Sequence, residues 1–336
     1  MPNTSTQPTR TQAFQRNTDL ESLLQLLNGS LQSAEAELLA KTAPNADFPI
    51  IFLMGPLRSG TTLFMQWLAS SGIFAYPTNL LSRFYGAPIT GAYIQQLLTD
   101  ERYNFRNEIL DFQHSIAFES ENGKTKGALS PNEFWYFWRR FLPFGSAPFE
   151  ELDWLPDETL CNVVDTERLK AELYGLTRAF EKPFALKSMI LNYNIPFLDH
   201  VFEKALFIQT RRDPIANIAS ILAARKRQLG SESEWYSFKI PEYPQLKDLP
   251  PIEQACGQWF YNDRAVTSGL SKVDESRKLV VQYEDFCQNP TRYFNSLTEK
   301  LALRAPYTGP SRFDVSDTVP AALRQEIQAA LAQGFP

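Results

Sequence analysis

Residues 50–68 read IIFLMGPLRSGTTLFMQWL, and the fold follows from this stretch. Five apolar residues, Ile50 to Met54, stop at Gly55, which suits a strand buried on both faces. From Thr62 the pattern becomes helical, with Leu63, Phe64, Trp67 and Leu68 apolar. Gly55 and Gly60 frame the loop between them. A strand, a glycine loop and a helix start aim several backbone N–H groups and the positive helix end at one spot. That is a seat for a phosphate-like anion. Ser59, Thr61 and Thr62 add hydroxyls, the helix start through Leu63 adds N–H donors, and Arg58 adds a permanent forked charge.

The spacing approaches the nucleoside triphosphate loop G-x-x-x-x-G-K-[ST], but Thr61 stands in the lysine slot. The cation, Arg58, lies two positions before the second glycine instead. No apolar strand ends in an aspartate placed to hold Mg²⁺. A metal-dependent kinase or NTPase is therefore the alternative reading, beside a non-catalytic nucleotide-binding protein of the same fold.

Outward from the loop, short apolar runs at Phe184–Leu186 (ended by Lys187), ALFIQ (205–209) and LVVQY (279–283) read as further buried strands. Helical patterns fill 18–42, most of 91–141, 166–181, 214–227, 252–272 and 319–333. Strands of this length alternating with long helices predict an α/β, P-loop-like three-layer fold with a mostly parallel sheet. Residues 1–17 read as a flexible tail, 18–336 as a single domain, and the proline-rich 241–251 as a loop or lid. A second motif, ALFIQTRRDPIANIAS (205–220), ends a strand in Arg211-Arg212. Asp213 then suits an N-cap and Pro214 the first helical position, with Ser220 two turns in.

Taken together, these residues resemble the PAPS-dependent sulfotransferases (PAPS is 3′-phosphoadenosine 5′-phosphosulfate). RSGTT between a buried strand and a helix looks like their 5′-phosphosulfate loop, in the arginine form of the bacterial and Golgi branch. The resemblance implies that Arg58, Ser59, Gly60, Thr61, Thr62 and Leu63 hold the 5′ end of PAPS. It implies that Arg212 and Ser220, eight residues apart, hold the 3′-phosphate. LKSM (186–189) and LVVQYEDF (279–286) extend it over residues 48 to 302. The expected reaction is sulfuryl transfer to a hydroxyl of a small-molecule, carbohydrate or glycolipid acceptor, with no metal. Arg58 cannot donate its proton, so its implied role is charge stabilisation.

The base that takes the acceptor proton departs from the family pattern. The cytosolic branch uses a histidine, and here His114 lies 56 residues after Arg58. The tyrosylprotein branch uses a glutamate soon after its loop, but AYPTNLLSRF (75–84) holds no acid. His114 is thus the first candidate, followed by Glu119, Glu121 and Asp111. The only other histidine, His200, reads as packing or surface. PNEFWYFWRRF (131–141) reads as core or as an acceptor pocket wall, Lys124 and Lys126 as loop charge or as cations for the sulfuryl group, and Arg225-Lys226-Arg227 as a solvated cluster at a helix end or a further contact for the 3′-phosphate.

Composition narrows the remaining classes. The 336 residues carry 33 Lys and Arg against 38 Asp and Glu, a net charge of −5. That argues against a general nucleic-acid or acidic-membrane binder, so any anion must be held locally. Apolar residues at 43% exclude disorder, and two histidines discourage histidine-rich metal sites. The N-terminus lacks an apolar signal core, and no run approaches the ~20 residues of a membrane helix. Three widely spaced cysteines suit buried free thiols in a reducing compartment, and a cytoplasmic location is expected.

Overall fold

The computed structural model describes residues 10–12, 15, 17–41, 48–104, 118, 120, 125–145, 151–315 and 318–335. Four strands, β1 (Ile50–Met54), β2 (Phe184–Lys187), β3 (Ala205–Arg211) and β4 (Lys278–Gln282), form one parallel sheet in the order β2-β1-β3-β4. Ile50 pairs with Phe184 on one side and Ala205 on the other. Side chains alternate across a strand, and here both faces are covered. Ile50, Phe52, Met54, Leu186 and Phe207 join one core with the helix Thr166–Phe180. Ile51, Leu53, Leu206 and Ile208 join the other with Phe64, Trp67, Phe286 and Phe294. In that second layer the Trp67 ring lies 5.0 Å from both Phe64 and Phe286. Full burial of such a ring stabilises by about 1.5–3 kcal/mol. The three layers are those expected from the alternating pattern.

The helices start where their caps lie. Asp213 accepts the Ala216 N–H at 2.9 Å and Pro214 opens the helix Pro214–Leu229. Glu35, fully buried on the helix Gln32–Ala40, caps a different helix, Pro88–Thr99. Its two oxygens accept the Ile89 and Thr90 N–H groups at 2.8 and 2.9 Å and the Thr90 hydroxyl at 2.7 Å.

Two expectations change. Of residues 91–141 only the stretches within Pro88–Thr99 and Trp135–Phe141 are helices among the described residues. Residues 125–132 instead run alongside 77–80, with the Asn79 N–H on Ser130 O and the Asn132 N–H on Pro77 O. Pro131 lacks the N–H a helix needs, and Phe134 takes a φ of 54°, so the helix cannot begin before Trp135. Cys161 is exposed, whereas Cys256 and Cys287 are buried. In the stretch read as a tail, Thr11 donates its N–H to Gln228 O at 3.0 Å and its hydroxyl to Arg227 O at 3.1 Å. Among the described residues no helix is long and apolar enough to cross a membrane.

Candidate functional site

The chain leaves β1 for β2 on one side and returns to β3 on the other. The C-terminal ends of β1 and β3 therefore lie where the winding reverses, the crevice in which such sheets bind ligands. Loop 55–60 stands at that point, and its neighbours tie its carbonyls inward. The Asn192 amide accepts the Gly55 N–H at 3.1 Å and donates to Gly55 O at 2.8 Å. Asn217 donates to Leu57 O at 2.7 Å. The Ser59 hydroxyl is buried and turned onto the Thr210 hydroxyl at 2.7 Å. Gly60, at φ 93°, is the residue before the helix Thr61–Ser70, and the Tyr283 ring fills the space its Cβ would need. The first-turn N–H groups at Thr61, Thr62 and Leu63 have no carbonyl one turn back to bond.

Arg58 itself sits at φ 66°, a left-handed conformation that costs a non-glycine residue of order 1–3 kcal/mol. Its half-buried side chain turns back over the loop, and Nε donates to the Ser220 hydroxyl at 3.1 Å. Arg212 donates from Nη1 to Arg58 O at 3.5 Å, and its guanidinium lies 4.9 Å from the centre of the Tyr283 ring. Arg58, Arg212 and Ser220 thus meet around one loop although they come from both motifs. Arg211, by contrast, points to Asp263 and binds its two oxygens at 2.9 and 2.6 Å. Burial holds the Arg58 guanidinium below its ordinary range. Nearby Tyr236 and Glu133 draw it back up, while Arg212 and Arg227 push it further down.

Two further groups stand at this rim. Lys187, at the end of β2 and only 6% exposed, donates to the Thr62 hydroxyl at 2.8 Å and to Glu133 Oε1 at 3.1 Å. The pair could have been flagged by one sign: a strand that reads FALK ends its apolar run in a buried charge. Glu133 gave no such sign, because it sits in an aromatic block.

His114, Asp111, Glu119, Glu121 and Lys124 lie outside the described residues. His200 is exposed on the helix Ile195–Val201. Arg225, expected in solvent, is fully buried, because the helix Pro251–Leu270 covers it. It donates to Gln254 at 3.0 Å and Gln258 at 3.2 Å, and lies 5.5 Å from the Trp235 ring centre. Burial pushes its pKa down to about 10. Lys226, one residue on, remains in solvent. Among the described residues no cluster of His, Cys, Asp and Glu could hold a metal ion.

The rim gathers two guanidiniums, one ammonium, three hydroxyls and a row of helix N–H groups, a donor set built for a polyanion. Comparison with known proteins agrees with it. The model of the Sulfotransferase family matches residues 49–307. No curated protein matches the sequence. Among solved structures, sulfotransferase STF9 from Mycobacterium avium is similar at a TM-score of 0.56 and 18% identity, over 99% of this chain and 80% of that one. Sulfotransferase STF1 from Mycobacterium tuberculosis H37Rv is similar at a TM-score of 0.51 and 17% identity, over 90% of this chain and 76% of that one. At these identities the two structures speak for the fold, and the family match spans most of the chain. The chain belongs to the sulfotransferase family, and it is a sulfotransferase.

Proposed function

We propose that the protein transfers a sulfuryl group from PAPS to a hydroxyl of a small-molecule, carbohydrate or glycolipid acceptor. The observation that carries this reading is the convergence of Arg58, Arg212 and Ser220 on one loop. The donor carries two anionic ends, a 3′-phosphate and a 5′-phosphosulfate, and the donor set fits both. Arg212 and Ser220 take the 3′-phosphate. The N–H groups of Gly60, Thr61, Thr62 and Leu63 take the 5′ end, and Ser59 fixes the loop through Thr210.

PAPS supplies an activated sulfuryl group on a phosphate leaving group. Positioning and charge stabilisation then dominate, as in phosphoryl transfer. Arg58 and the helix N-terminus stabilise the charge that grows on the departing 5′-phosphate. Lys187, held beside Thr62, adds a cation next to the transferred group. Trp135 and Phe238, 5.1 Å apart, support an aromatic wall for the acceptor near Glu133. Free thiols at Cys161, Cys256 and Cys287 support a reducing, cytoplasmic setting.

The test is thermal shift with 3′,5′-bisphosphoadenosine against ATP-Mg²⁺, followed by transfer of labelled sulfate from PAPS to a panel of sugars, lipids and phenols. Stabilisation by the bisphosphate and a labelled product are expected. Stabilisation by ATP-Mg²⁺ alone would overturn the assignment in favour of a kinase or NTPase. Bisphosphate binding without transfer to any acceptor would reduce the protein to a nucleotide binder.

A further inference from the structure

We infer that Glu133 is the general base of this sulfuryl transfer, an assignment that rests on the reading just proposed. A base must reach the acceptor hydroxyl while that hydroxyl faces the sulfuryl group. The chain Thr62–Lys187–Glu133 has that layout. Thr62 lies in the first turn of the helix whose N-terminus receives the donor. Lys187 Nζ spans 2.8 Å to the Thr62 hydroxyl and 3.1 Å to Glu133 Oε1. The carboxylate therefore stands one ammonium away from the seat of the transferred group. Its Oε2 makes no hydrogen bond among the described residues, and its side chain is 54% exposed. One oxygen is thus held, and the other is left to take the acceptor proton.

The backbone at Glu133 is built to hold it there. Asn132 accepts the Phe134 N–H at 2.9 Å and donates to Asn79 at 2.8 Å. Phe134 adopts a φ of 54°, buried and stacked on Phe137 at 4.5 Å. Two turns of helix follow, and Trp138 Nε1 donates to the carbonyl of Lys187 itself at 3.0 Å. The element that carries the carboxylate is therefore pinned to the residue that holds the carboxylate. Strained backbone of this kind persists where surrounding packing enforces it, and such positions cluster at active sites. Arg58 and Tyr236 both feel the Glu133 charge, which sets the carboxylate beside the loop.

The step balances without another reactant. The acceptor O–H proton passes to Glu133 Oε2, and the acceptor oxygen forms a bond to sulfur. The bond from sulfur to the 5′-phosphate oxygen breaks, and its electron pair stays on the phosphate. The proton then leaves the exposed carboxylate to water. The products are the sulfate ester, 3′,5′-bisphosphoadenosine and one proton.

The test uses the full chain, labelled PAPS and a phenol series running from 4-methoxyphenol to 4-nitrophenol. General-base help matters most for a weakly acidic hydroxyl and least for one already ionised. Glu133→Gln should lower kcat on 4-methoxyphenol by roughly 10²–10⁴-fold. It should come within tenfold of wild type on 4-nitrophenol. The variant should keep the wild-type thermal shift with 3′,5′-bisphosphoadenosine, showing that the fold and the donor seat survive. Formate should restore part of the activity of Glu133→Ala. Turnover within threefold of wild type across the series would overturn the assignment, and so would an equal loss for every phenol. A wild-type protein that is neither stabilised by 3′,5′-bisphosphoadenosine nor able to transfer from PAPS to any phenol would overturn the reading beneath this assignment, and the assignment with it.

Discussion

Arg58 holds a permanent charge on a left-handed backbone, with its side chain resting on Ser220. An arginine so placed can bind and stabilise anions but has no proton to give. Arg58→Ala should therefore lower kcat by about 10²–10³, the usual loss for one such donor, in a single-turnover transfer assay. Arg212 is expected to act on binding instead. Arg212→Met should weaken 3′,5′-bisphosphoadenosine by about 1.5–3 kcal/mol, roughly ten- to a hundredfold, by calorimetry. Both arginines were legible in the sequence, because Arg212 follows directly on an apolar strand and Arg58 lies in the glycine loop behind one. Lys187 carried one local sign, the charged end of FALK, but its pairing with Glu133 carried none. Their contact joins residues 54 apart, and it exists only because Trp138 docks the following helix on β2. No local spacing encodes that docking.

At the scale of elements, the four strands and the helix at Pro214 could be read from apolar runs and a cap. The stretch 91–141 could not. Its aromatic residues recur at helical spacing, yet Pro131 and the left-handed Phe134 confine the helix to seven residues, Trp135–Phe141. The Glu35 cap was invisible for another reason: it serves a helix more than fifty residues away. Glu35→Ala leaves three donors without their acceptor, one N–H of which, at Ile89, is buried. Chemical denaturation should show a loss of about 2–3 kcal/mol. The pH dependence has a definite sign. Burial raises the Glu35 carboxyl above its ordinary 4.5, against the Ile89 and Thr90 bonds that lower it. Its contribution is thus full below the unfolded value and declines as pH rises through the higher folded value. Urea unfolding should show wild type losing more stability than Glu35→Gln between pH 4.5 and neutrality.

For the whole molecule, the expected layers appear because β1 and β3 are apolar on both faces and must be covered twice. Long-range burial was less legible. Arg225 looks like a solvated helix end until the helix Pro251–Leu270 covers it. The cysteines divide in the same way. Cys256 is buried, with its thiol pushed up to about 12, and Cys287 is buried among aromatic rings. A thiolate-specific reagent should titrate one thiol, Cys161, in the native protein and all three in denaturant. A native count above one would contradict the packing of the helices that carry the other two.

Because all four strands run the same way, the molecule has a working rim and a blank one. The turns at Lys182–Pro183 and Glu203–Lys204 enter β2 and β3 from the blank rim. A dye or bead tethered through position 203 would leave the acceptor entrance facing solution. Surface-immobilised enzyme made this way should turn over like the free protein.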